Sequence, residues 1–208
     1  MIRALRKTTG HTGGFLGASL AGRSSDRQYV FVAWGLVGAA IWLVGSLPDS
    51  PASGWRLVAG LYLLAVLAAI CAIDARYGII PNSLAAALAA GGVIQTLWLA
   101  EADLLQRGIE ALLVLAGGYL FRGLYSALRG HEGLGQGDLK FAAAAALWIG
   151  LEGIPGLLLA AVVSALVSLL ILRAHGYDLH GKLAISFGPH LALGLWLVWV
   201  FGTLQFAP

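Results

Sequence analysis

Charge is scarce in this chain. Asp, Glu, Lys and Arg make up 11% of its 208 residues, under half the roughly 25% typical of soluble domains. With 59% hydrophobic residues and a mean hydropathy of +0.84, the composition excludes an ordinary water-soluble domain and points to one compact bundle in a membrane. Cysteine is nearly missing too. Cys71 stands alone, which excludes an intrachain disulfide and a paired-cysteine zinc site; inside its apolar run it reads as a small hydrophobe. Residues 1–28 lack a long apolar core but carry Arg3, Arg6, Lys7, Arg23 and Arg27. That excludes a cleavable signal peptide and reads as a basic, Gly-rich cytoplasmic tail, with residues 29–208 as the membrane domain. The net charge of +3 and the pI near 9.2 do not indicate nucleic acid, because no Lys/Arg stripe is interleaved with aromatics. The histidines (His11 in the tail; His131, His175, His180 and His190 spread over loops) have no paired ligand spacing, so neither a metal nor a cofactor is expected.

Hydrophobic runs make up most of what remains. A spanning helix needs about 20 apolar residues, and seven segments qualify: 29–47, 55–74, 80–99, 106–128, 139–151, 154–173 and 187–206. The fold class is therefore all-α, a polytopic transmembrane bundle of about seven spans, within six to eight. Breaks are expected at Pro48 and Pro51, Gly78 to Pro81, 129–137, Gly153 to Pro155 and 174–186. The fifth segment is short, and its alanines, Ala142 to Ala146, suit a helix packed among others rather than facing lipid. Placing the N-terminus in the cytoplasm puts eleven of the thirteen Lys/Arg residues inside and leaves Arg56 and Arg107 outside, a strong positive-inside bias. Asp49, Glu101, Asp103, Glu110 and Glu152 fall outside, and an odd span count puts the C-terminus there as well. The seven tryptophans lie towards span ends, as interfacial anchors do.

Two acids remain. Asp74 ends the second span and Asp138 opens the fifth, so this topology sets both at the cytoplasmic face. Asp74 alone reads as a snorkelling acid beside Arg76, and Asp138 alone as a helix N-cap or first-turn acid. Both lie beside structured breaks: Gly135 and Gly137 flank Gln136 just before Asp138, and Pro81 and Asn82 follow Asp74. Glycine lets backbone or a peptide approach closely, and proline favours a helix start. Two carboxylates sharing a site hold one proton between them, which suits peptide hydrolysis: one takes a proton from water while the other polarises the scissile carbonyl. Paired acids also serve ion transporters, but those predict acids at mid-membrane and an internal repeat, and this sequence has neither.

Gly-x-Gly-Asp-x-Lys at 135–140, Asp74 with Arg76, Ile80, Pro81 and Asn82, and Ser-Phe-Gly-Pro-His-Leu-Ala-Leu-Gly at 186–194 together resemble the motifs of the type IV prepilin peptidases. The resemblance spans roughly residues 55–200. Presenilin and signal peptide peptidase share the Gly-x-Gly-Asp element, but their first aspartate follows a tyrosine, whereas Ile73 precedes Asp74 here. The resemblance implies a membrane aspartic endopeptidase with Asp74 and Asp138 as the catalytic pair. Its substrates would be type IV prepilin or pseudopilin precursors, whose short basic leader is cut after a glycine at the cytoplasmic face of the bacterial inner membrane. Longer family members carry a cytoplasmic insert with paired cysteines, linked to zinc and N-methylation. The segments before the second span hold no cysteine, so cleavage without methylation is expected.

Supporting residues read two ways. Lys140 either tunes Asp138 or touches an acid of the substrate, or it is an inside-positive anchor; Arg76 faces the same choice. Gly188 and Pro189 either set a helix start beside the site or form an ordinary helix N-terminus.

Overall fold

The computed structural model describes residues 51–99, 103–130, 134–174 and 186–202, together with Gly35, Gly38 and Ala40. Every element among them is an α-helix: α1 (Pro51–Tyr77), α2 (Asn82–Leu99), α3 (Leu104–Arg129), α4 (Gln136–Ala174) and α5 (Gly188–Phe201). Three helices are long and apolar enough to cross a membrane: Gly54–Tyr77 within α1, α3 and α4. The chain is thus an all-helical membrane protein. The expected tail, 1–28, and first span, 29–47, lie outside the described residues apart from Gly35, Gly38 and Ala40. These three are helical, and Ala40 packs on the core.

Local chemistry sets the helix ends. α1 stops at Gly78, whose φ of 67° suits glycine and whose N–H donates to the Asp74 carbonyl at 2.8 Å. Pro81 disfavours helix at Ile80 and accepts from the N–H groups of Leu84 and Ala85, both at 3.1 Å, so α2 starts after a tight reversal. Asp103 caps α3 by accepting from the Leu105 N–H at 3.0 Å.

The expected fifth and sixth spans are the two helical arms of α4, and the break between them is not at Gly153 to Pro155. The backbone leaves helical geometry at Gly150 (φ 71°, ψ 174°). The chain doubles back there. In the first arm, 136–149, Leu139 lies against Gly118 of α3, while Leu151 reaches Glu110 near the start of that same helix. In the second arm, 151–174, Leu157 lies against Gly194 of α5 and Ser164 bonds His190, nearer the α5 start. The second arm therefore returns towards the end from which the first set out.

Breaking a helix in an apolar bundle strands backbone groups, and each costs several kcal/mol without a partner. Side chains of α2 and α3 supply those partners. Gln95 Nε2 donates to the Trp148 carbonyl at 3.3 Å, while Thr96 Oγ1, which donates to the Gly92 carbonyl of its own helix at 2.9 Å, lies 3.4 Å from the Leu147 carbonyl. Glu110 Oε2 accepts from the Leu151 N–H at 3.0 Å, with Arg107 paired to the same oxygen at 3.1 Å. Glycine is required at the corner, because a Cβ at Gly150 would run into the Arg107 guanidinium.

The core combines one face of α1 (Leu63, Leu67, Ile70), the first arm of α4 (Phe141, Ala144 to Ala146, Trp148) and α5 (Leu191, Leu195, Trp196, Trp199). Of the alanine run, Ala144 to Ala146 are buried and Ala142 and Ala143 half-buried. Three tryptophans are not interfacial: Trp148, Trp196 and Trp199 are buried. Trp148 Nε1 donates to the Leu88 carbonyl and Trp199 Nε1 to Gln95 Oε1, each at 2.7 Å. For Trp148 and Trp199, an indole with a hydrogen-bond partner packs as well inside as at the interface; Trp196 Nε1 is buried with no partner among the described residues. Trp55 and Trp98 do remain exposed, in edge-to-face contact at 4.3 Å.

Candidate active site

Asp74 lies in the last turn of α1, on the side turned to α5, and is 5% exposed. Its Oδ2 accepts from the Gly188 N–H at 2.8 Å. This amide belongs to the first residue of α5 and has no partner within its helix, so it meets the carboxylate with both hydrogen bond and helix dipole aligned. A Cβ on Gly188 would stand 2.6 Å from Oδ2 and 2.8 Å from Cγ, so only glycine permits this approach. Pro189 follows in the first turn, and the N–H groups of His190 and Leu191 close on the Phe187 carbonyl at 3.0 Å each.

Asp138 occupies the first turn of α4 and is half-buried. Its carboxylate folds back over Gly135, where a Cβ would lie 3.1 Å from Oδ2. Gly137 serves a different contact: a Cβ there would lie 3.2 Å from Cβ of Ile80. A bare backbone at 137 thus lets the 78–81 turn settle on the start of α4, drawing the end of α1 towards Asp138. The two aspartates, 64 positions apart in sequence, are thus brought to the same end of the bundle, Asp74 one turn before Gly78 and Asp138 beside the Gly137–Ile80 contact.

The supporting residues divide. Lys140 reaches across to α2, donating from Nζ to Asn82 Oδ1 at 2.8 Å, and Arg76 lies over the ring of Tyr77 at 5.6 Å. Among the described residues no ion pair joins Lys140 to Asp138 or Arg76 to Asp74. Pro81 opens α2 beside Ile80, so Asn82 and Lys140 tie α2 to α4 next to the acid pair. His131, His175 and His180 lie outside the described residues. His190 is not in a loop: it sits buried in the first turn of α5, with Nδ1 2.9 Å from Ser164 Oγ. The sequence offered no signal for that contact, since the two residues are 26 positions apart on different helices.

One carboxylate is thus held under a backbone amide and shielded, and the other is half open at a helix start with glycines around it. Such a pair can share a proton, activate a water and polarise an amide carbonyl.

Comparison with known proteins places the chain in a family. The type IV leader peptidase family matches residues 61–170, a stretch that contains both aspartates. The chain is 32% identical over 169 residues to the prepilin leader peptidase/N-methyltransferase of Xanthomonas campestris, covering 79% of this chain and 54% of that protein. It is 34% identical over 157 residues to the protein of the same name from Aeromonas hydrophila (73% and 52%). Against that of Burkholderia pseudomallei it is 37% identical over 150 residues (70% and 47%). The chain spans about half the length of these relatives. No solved structure matches it.

Proposed function

The chain belongs to the type IV leader peptidase family, and on that premise we propose that it is a membrane-embedded aspartic endopeptidase acting on prepilin or pseudopilin precursors. What supports this reading is the placement of Asp74 and Asp138 at the same end of the bundle, one under the Gly188 amide and the other over Gly135, with Ile80 of the turn after α1 packed on Gly137. The pair holds one proton. The charged carboxylate takes a proton from a water as the water attacks the scissile carbonyl, and the neutral one donates to the carbonyl oxygen. The tetrahedral intermediate then collapses, with a proton passing to the leaving amine. The roles belong to the pair as a unit rather than to either residue.

The basic residues orient the site. Arg76, Lys140 and Arg173 lie towards the Asp74 end of the bundle and Arg107 beside Gly150 at the other, so the positive-inside rule supports a cytoplasmic-face site in the bacterial inner membrane. A short basic leader followed by a glycine and an apolar helix would present its cleavage bond there, with the helix in the bilayer beside the bundle. The reading covers cleavage alone, without N-methylation: these 208 residues hold a single cysteine, and Cys71 is buried in α1.

Asp74→Asn and Asp138→Asn are each expected to abolish cleavage of a co-expressed prepilin while the protein still inserts. Near wild-type processing by either variant sinks the catalytic pair.

A further inference from the structure

The Asp74 carboxylate depends on an amide, and that amide depends on where α5 begins. Two contacts fix α5 against the second arm of α4. Gly194 lies on the backbone of Leu157 and Ala161, and one turn nearer the site His190 Nδ1 meets Ser164 Oγ at 2.9 Å. The serine hydroxyl also lies 2.9 Å from the Ala161 carbonyl, as donor. A hydroxyl has one proton to give. With it committed to Ala161, Oγ accepts and His190 donates, which assigns the Nδ1–H tautomer to the ring. His190 is 2% exposed and sits two residues after Gly188. Its bond therefore fixes the same helical turn whose first amide holds Asp74, and it fixes that turn to the element that also carries Asp138.

We infer that His190, through its Nδ1–H bond to Ser164, is a positioning residue that holds the Gly188 amide on Asp74 and so keeps α5 in register with the acid pair. It touches neither substrate nor the reacting atoms. Among the described residues the bond is a side-chain hydrogen bond from the first turn of α5 to α4. Without it, that turn stays on α4 by apolar packing, which resists separation better than sliding, and the side-chain hydrogen bond from Trp199 to Gln95 of α2 holds α5 at its far end. Only the activity readout of this inference rests on the leader-peptidase reading; the geometric readout does not.

The test uses the purified full chain in detergent, with His190→Ala, Ser164→Ala and His190→Asn; the asparagine amide can replace Nδ1–H as donor. Labelling of Asp74 by dicyclohexylcarbodiimide is followed by peptide mass spectrometry, with labelling of Asp138 as internal reference. Both alanine variants are expected to label Asp74 several-fold faster than wild type, and His190→Asn at close to the wild-type rate. On a prepilin substrate the alanine variants are expected to lose about tenfold in kcat, the range of one lost hydrogen bond to a charged group, with KM within about twofold and kcat recovered in His190→Asn. Wild-type labelling rates in both alanine variants overturn the inference, whatever their activity. So does equal failure of His190→Ala and His190→Asn when both elute as monodisperse folded protein. Faster labelling with rescue, in a protein whose wild type cleaves no prepilin, supports the positioning bond and removes the peptidase reading instead.

Discussion

An added methyl at Gly188 would meet the Asp74 carboxylate at under 3 Å from three of its atoms, all in a buried pocket. Either the carboxylate rotates away from its amide donor or the first turn of α5 lifts. Overpacking of this kind costs about 1–3 kcal/mol, and here it falls directly on a carboxylate of the proposed catalytic pair. Gly188→Ala is therefore expected to lower kcat by at least tenfold while the protein remains folded. Gly135→Ala sets a useful contrast. Its Cβ would press only on the Asp138 carboxylate, at 3.1 Å and 3.5 Å, and that half-buried side chain can turn aside, so a smaller loss is expected. Steady-state cleavage by the two variants at equal protein concentration checks the order; equal losses would mean that the amide on Asp74 has no special weight. Both glycines stood out in the sequence, Gly135 in the run before Asp138 and Gly188 in the Phe-Gly-Pro stretch that opens a late helix. Their separate jobs did not. The two readings of Lys140, a partner for Asp138 or a charged anchor, likewise left out the hydrogen bond to Asn82 that the fold makes, because nothing in a linear spacing places α2 beside α4.

Helices were legible where apolar runs ended at Gly or Pro, because those residues act locally on φ/ψ, whereas Asp103 read only as an outer-side acid and caps α3 in the fold. The corner of α4 was not. Gly153 and Pro155 look like the stronger breakers, yet the chain turns at Gly150. The difference is tertiary: Gln95 and Glu110 come from two other helices to satisfy the groups freed at 148 and 151, and Thr96 stands beside the carbonyl of 147. A hydropathy reading sets Glu110 aside as an outer-side acid, whereas the fold uses it as a helix cap. Glu110→Ala leaves the Leu151 N–H and Arg107 without their partner, at a cost of about 1–2 kcal/mol. Gly150→Ala adds strain at positive φ to a clash with Arg107, about 1–3 kcal/mol. Both variants are expected to unfold at lower temperature in detergent, followed by tryptophan fluorescence or calorimetry, while retaining cleavage at low temperature. Unchanged melting of Gly150→Ala would mean that the corner is held by something other than this cluster. The tryptophans teach the same lesson. With nearly every helix face apolar, periodicity cannot separate lipid from core, so Trp148, Trp196 and Trp199 read as anchors until packing places them inside.

At the scale of the molecule, the bundle has two chemically different ends. The acid pair, Arg76, Asn82, Lys140 and the start of α5 gather at one; the Gly150 corner, Arg107 and Glu110 gather at the other. The structure brings each set together but holds no bilayer, so which end faces the cytoplasm rests on the distribution of Lys and Arg alone. The polarity can be measured directly. The single cysteine, Cys71, is 1% exposed and can be replaced by alanine to give a thiol-free background. Single cysteines then go at Gln106, exposed near the start of α3, and at Arg129, exposed at its end. In cells with a permeabilised outer membrane, a membrane-impermeant maleimide is expected to label Gln106→Cys at once and Arg129→Cys only after the inner membrane is opened. The reverse pattern would place the acid pair on the far side of the membrane from a leader held in the cytoplasm. The pair could then not cut such a leader before its helix crossed, and the proposed substrate class would fail even with the chemistry intact.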